Sequence, residues 1–116
     1  MIFVALAAFV VASSSSLAQE QAPNRRAFTI VAKDHTFTPN KLEVSQDDLV
    51  RITLKSEGRP SSFAIDAYRL IKRAGGGQTI SFEFRADQAG TFPFYCNLTG
   101  DEACKDMKGT LVVKPR

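Results

Sequence analysis

Between residues 79 and 84 the chain alternates without a break: Ile80, Phe82 and Phe84 are interleaved with Thr79, Ser81 and Glu83. Period-two alternation fits a strand with one buried face, because successive side chains of an extended backbone point to opposite sides. Val50, Ile52 and Leu54, set against Arg51, Thr53 and Lys55, repeat the pattern. Shorter stretches of the same character are Phe28–Val31, Leu42 with Val44, Ser62–Ile65, Tyr68–Ile71, Thr91–Cys96 and Thr110–Lys114. Turn signals separate them: Pro39-Asn40, Asp47-Asp48, Gly58-Arg59-Pro60, Gly75-Gly76-Gly77 and Gly90. No long segment with helical period competes. Many short strands with turns between them predict an all-β domain, a sandwich or barrel. Pro93, inside the Thr91–Cys96 strand, predicts a free edge or a bulge there.

The 116 residues suffice for one such domain. Residues 1–18 are read as a signal peptide: Met1 to Ala12 is almost wholly apolar, a serine run follows, and Ser16 and Ala18 make a cleavage site before Gln19. The apolar run falls short of the about 20 residues that a membrane span needs, so no membrane contact is expected after cleavage. Residues 19–26 read as a flexible leader and residues 27–116 as the folded domain. Export places the protein in the periplasm or outside the cell, where disulfides persist. A formal net charge of +3, with no Lys/Arg-rich run, argues against a nucleic-acid partner.

Strand parity makes one chemical inference available. Phe92, Phe94 and Cys96 share a face, so if the phenylalanines are core, Cys96 points inward at the strand's end. A loop from Asn97 to Met107 leads to the last strand. Cysteine and methionine at one end of a sandwich form a soft-ligand pair suited to copper(I). Cys104 lies in the same loop. A Cys96–Cys104 disulfide is the competing reading: closing so short a loop stabilises by ~2–3 kcal/mol in the chain-entropy model, and it removes Cys96 as a thiolate ligand.

The stretch Phe82–Cys96 followed by Met107–Val113, together with Phe37–Val44 and Ser61–Asp66, resembles the cupredoxin family of small blue-copper proteins over nearly all of residues 27–116. The resemblance implies a Greek-key β-sandwich holding one copper at one end, with electron transfer to a redox partner protein. The family's site uses two histidines, a cysteine and usually a methionine. The cysteine falls on Cys96 and the methionine on Met107. Serine stands at Ser61, where the first histidine is expected, and no histidine occurs in the loop near Asp101, where the second is expected. His35 is the only histidine in the chain. A His₂Cys site cannot be assembled from one such chain.

The metal candidates are therefore Cys96, Met107, Cys104 and His35, as a modified copper site. The alternative is a metal-free binding or accessory module stapled by Cys96–Cys104. His35 also reads as an ordinary strand-end residue. Arg59, Arg69, Lys72 and Arg73 form a basic group that would steer an acidic partner or simply be solvated. Asp101, Glu102 and Asp106 offer too few oxygens for a hard cation. No nucleophile–base pair is visible, so catalysis is not expected.

Overall fold

The computed structural model of the protein describes residues 24–100 and 102–116. The expected signal peptide lies outside the described residues. Among the described residues nine strands form two sheets: β1 (Arg25–Lys33), β2 (Thr36–Thr38), β3 (Lys41–Ser45), β4 (Leu49–Ser56), β5 (Ser61–Ile65), β6 (Leu70–Ala74), β7 (Thr79–Arg85), β8 (Gly90–Tyr95) and β9 (Lys108–Lys114). One short helix, α1 (Glu102–Lys105), precedes β9. The strand orders are β2-β1-β4-β7 and β3-β9-β8-β5-β6. β1 runs parallel to β4 and β3 parallel to β9, while the other ladders are antiparallel. The chain passes from one sheet to the other several times, as in a Greek-key sandwich.

The alternation seen in the sequence becomes the core. Val50, Ile52 and Leu54 of β4 are fully buried, as are Phe63 and Ile65 of β5 and Phe94 of β8. Phe63 and Phe94 stack at 4.8 Å, and Phe37 packs against both at 6.0 and 5.6 Å. Phe82, from the opposite sheet, reaches Phe63 at 5.5 Å. This cluster joins the two sheets, and contacts of such offset or tilted geometry add to the area they bury.

Several local outcomes differ from the sequence reading. β1 begins at Arg25, within the stretch expected to be leader, because Arg25 and Arg26 pair with Leu49 and Val50. Thr36–Thr38, not among the strands read from alternation, is a strand hydrogen-bonded back on β1, and it ends at a cis Thr38–Pro39 bond. The expected strand at Tyr68–Ile71 starts later, at Leu70: Asp66–Tyr68 forms a 3-10 turn, closed by Arg69 in the left-handed region. Pro93 sits in a strand inside the sheet. β8 meets β5 only at Ala64–Tyr95, so the flank at Pro93 has no neighbouring ladder among the described residues. That spares the missing N–H.

Two tyrosines pin the 3-10 turn. The Tyr68 hydroxyl donates to the Gln88 carbonyl at 2.8 Å, and its ring meets Phe84 and Phe92. Burial raises the Tyr68 pKa above the usual phenol value; the bond to Gln88 pulls it down and the charge of Asp87 adds to the rise. The Tyr95 hydroxyl donates to Asp66 Oδ1 at 2.7 Å, and that hydrogen bond is the main reason its pKa is also raised.

Candidate functional site

All the residues that the sequence marks for metal chemistry gather at one end of the sandwich. β8 delivers Cys96 inward beside Phe94, as strand parity requires, and leaves it 6 % exposed. The loop then turns through α1, which carries Cys104 back toward the sandwich. Met107 follows directly, tied to both cysteines through the backbone: its N–H donates to the Cys104 carbonyl and its carbonyl accepts from the Cys96 N–H, both at 3.1 Å. Met107 is buried with the core.

Cys96 and Cys104 are joined in a disulfide, and no described cysteine is free. Each sulfur also accepts a backbone N–H, Cys96 from Ser62 at 3.3 Å and Cys104 from Leu98 at 3.1 Å.

His35 reaches this end by a different route. Asp34 and His35 both have positive φ, 52° and 66°, and form the two-residue turn between β1 and β2. Such hairpin turns need left-handed backbone at both central positions, which aspartate tolerates better than most residues. Thr36 Oγ1 closes the turn onto the Lys33 carbonyl at 2.8 Å. The imidazole is largely exposed, with Nδ1 3.9 Å from Asp106 Oδ2.

Between the turn and α1 lies a cleft of about 340 Å³, lined by Ala32, His35, Ser61, Ala103, Cys104 and Met107 among others. Ala32, Ala103 and Met107 are the buried apolar part of its lining. Across its rim Lys33 pairs with Glu57 at 3.7 Å. The cleft thus brings together three of the four metal candidates, with Cys96 attached through the disulfide.

The serines of β5 account for the histidine-free wall. Ser61, at the position where the resemblance expects a histidine, is buried and donates to Ser56 Oγ at 2.8 Å; Ser56 Oγ in turn donates to the Arg59 carbonyl at 2.6 Å. Ser62 is fully buried and engages Asn97 twice: its hydroxyl donates to Asn97 Oδ1 at 2.6 Å and accepts from the Asn97 N–H at 2.7 Å. These bonds anchor the Cys96–Met107 loop to the neighbouring strand. In the sequence Ser61 stood out as the residue at an expected histidine position, and nothing marked Ser62 as an anchor of the loop. The partner of Ser62 lies 35 positions away, and nothing local signals it.

A copper thiolate needs a deprotonated sulfur, and both sulfurs here are consumed in the S–S bond. Among the described residues no group of three or more His, Cys, Asp or Glu side chains is placed to share an ion. As bonded, these residues do not fit the copper centre that the resemblance implies. Glu102 and Asp106 stand in or beside α1, Glu102 within 3.4 Å of Lys105; Asp101 lies outside the described residues.

Two stacked, mainly antiparallel sheets with the chemistry-bearing loops at one end define a cupredoxin-type β-sandwich. The chain matches the cupredoxin-like domain family over residues 1–113, and it belongs to that family. Auracyanin A, a blue copper protein from Chloroflexus aurantiacus, superposes with a TM-score of 0.66 at 22 % identity, covering 78 % of this chain and all (100 %) of that one. Auracyanin B gives 0.66 at 19 % identity, over 82 % and 92 % of the two chains. A blue copper oxidase from Nitrosomonas europaea gives 0.69 at 17 % identity, over 80 % of this chain and 40 % of the oxidase. At such identities the likeness establishes the fold alone. No curated protein sequence matches the chain.

Proposed function

We propose that this chain is an exported, disulfide-closed cupredoxin-fold protein that acts as a binding module of the periplasm or extracellular space, and not as a copper-dependent electron carrier or an enzyme. The observation that carries the reading is the Cys96–Cys104 bond. It occupies the sulfur that the family's metal would use, and Ser61, hydrogen-bonded in place, stands where an imidazole is expected. Fold alone decides nothing here, since one sandwich serves many functions. The apolar start of the chain and the disulfide agree in pointing to an oxidising compartment.

A second reading has one specific support, the convergence of His35, Cys104 and Met107 on a single cleft. It takes the reduced protein as a copper(I) site of Cys96, Cys104, Met107 and His35, exchanging electrons with a redox partner protein. Soft sulfur ligands suit copper(I), but the disulfide must first accept two electrons and two protons from an external dithiol.

A free-thiol count on protein purified from an oxidising compartment, paired with copper(I) titration before and after reduction, separates the two. The module reading expects both thiols blocked and no copper bound by the protein as purified. Free thiols and one equivalent of tightly held copper, lost on Cys96→Ser, would overturn it.

A further inference from the structure

The five-stranded sheet ends at β6, whose outer side pairs with no strand among the described residues. A strand edge of this kind presents a row of unpaired N–H and C=O groups and is a template for another strand. β6 differs from the other sheet edges in its side chains. Ile71 is 60 % exposed, the one large apolar side chain so exposed among the described residues. Ile71 and Arg73 point to the same face. With Pro60 and Leu98 they line a groove of about 520 Å³ between the edge and the loop that follows Cys96.

Charge identifies the occupant. Arg69, Lys72 and Arg73 are all exposed, and among the described residues no carboxylate forms an ion pair with any of them. Elsewhere on the surface Lys33, Arg51, Arg85, Lys105 and Arg116 have carboxylate partners, and Lys41, Lys55, Lys108 and Lys114 form no ion pair among the described residues; Arg69, Lys72 and Arg73 are distinguished by lying within five positions along one edge. Three unmatched cations along an edge repel a second copy of the same edge, since like charges on adjacent strands are destabilising. They attract a strand that carries carboxylates.

We propose that β6 is a docking edge for an extended, acidic segment of a partner protein, which adds as a further strand, sets apolar side chains against Ile71 and Leu98 on one face, and on the other face presents carboxylates to Lys72 within the positive field of Arg69 and Arg73. Main-chain bonds supply affinity in this mode, and the alternate side chains supply selectivity. The proposal rests on the binding-module reading and names the partner's chemistry.

The test is fluorescence anisotropy with the disulfide-intact protein and a labelled peptide that alternates valine with glutamate. Controls are a lysine-for-glutamate peptide and two peptides N-methylated at alternate residues, one in each phase. The glutamate peptide is expected to bind more weakly as salt rises, and the lysine peptide not to bind. Lys72→Glu with Arg73→Glu should weaken binding roughly tenfold or more, because the direct pair at Lys72 becomes repulsive and the positive field along the edge is reversed. Ile71→Ser should weaken it without changing the salt dependence. One methylation phase should abolish binding and the other leave it intact.

Equal binding by the charge-reversed protein, or by both methylated peptides, would overturn the proposal: the first excludes the edge, the second main-chain pairing. Absence of binding by the glutamate peptide overturns it too. The copper titration keeps these outcomes distinct. If copper is not bound by the oxidised protein and the peptide fails, the module reading stands and only the edge assignment falls. If copper is bound, the module reading falls whatever the peptide does.

Discussion

Replacing both Cys96 and Cys104 by alanine removes the cross-link that closes the loop between β8 and β9, and the cost follows from the loop's length. The two residues are eight positions apart. For a closed loop of eight residues the chain-entropy model assigns about 2.5 kcal/mol at 25 °C, all of it from freeing the unfolded chain. In a domain of this size each kcal/mol moves the thermal midpoint by about 4–8 °C, so the fall should be about 10–20 °C. The sulfurs are also buried, at 6 % and 2 % exposure, so alanine leaves small voids and adds a packing loss. Urea unfolding of the unmutated protein with and without a reductant separates the two effects, because reduction keeps the sulfur atoms and cuts only the bond. The reduced protein should lose about the entropic 2.5 kcal/mol and the double alanine variant somewhat more. A loss below about 1 kcal/mol in both would refute the reasoning, since it would mean that the loop is restrained by something other than the bond.

Ser62→Ala should cost about 1–3 kcal/mol in urea unfolding, since the Asn97 N–H and side-chain carbonyl lose their shared partner in a buried setting. Ser62→Thr, which keeps the hydroxyl, should recover part of that loss. Gly109→Ala should cost about 1–3 kcal/mol or prevent folding, because a Cβ there would drive into the Phe94 ring and the Asn40 carbonyl; calorimetry reads it directly. Alkaline titration followed by thermal melts should show stability constant through neutrality and falling as pH rises above about 10, the unperturbed phenol value. Tyr68 and Tyr95 have raised pKa values when folded, so the unfolded chain releases their protons first and alkali favours it. Tyr68→Phe combined with Tyr95→Phe should flatten that fall.

The sheets were legible because β4 and β7 alternate cleanly, and alternation is a direct consequence of burying one face. Phe92, Phe94 and Cys96 were placed on one face by the same rule, and the inward-pointing Cys96 sulfur followed. Pairing was not legible. β1 and β4 are parallel neighbours, and nothing in either segment names the other. The strand at Thr36–Thr38 is too short to show a period, and it exists because the Asp34-His35 turn folds it onto β1. At the candidate site the sequence named residues that the fold brings to one end, but not their bonding state. Cys96 and Cys104 were compatible with a thiolate ligand or a bridge, and spacing could not choose between them. The Ser62–Asn97 pair was invisible because it joins β5 to a loop far along the chain, not residues near in sequence.

The same geometry explains how this end of the sandwich keeps its shape without the family's ligand set. The loop from Asn97 to Met107 must be held against β5 and the β1–β2 turn, or the core beneath it, including Phe94 and Met107, would be opened to water. In a copper-bearing relative the metal would hold that loop through its cysteine and methionine. Here the holding is covalent at Cys96–Cys104, and hydrogen-bonded at Ser62–Asn97 and at the Met107 backbone. The serines of β5 suit this arrangement better than histidines would. A hydroxyl is small enough to be fully buried beside the bridge, and it can donate and accept at once. Ser61 and Ser62 therefore fill and satisfy a wall that imidazoles without a metal would leave with orphan nitrogens. The departures from the copper pattern are thus mutually consistent. Serine on β5, a second cysteine in α1 and the retained Met107 together make an end closed by covalent and hydrogen bonds, as the binding-module reading requires.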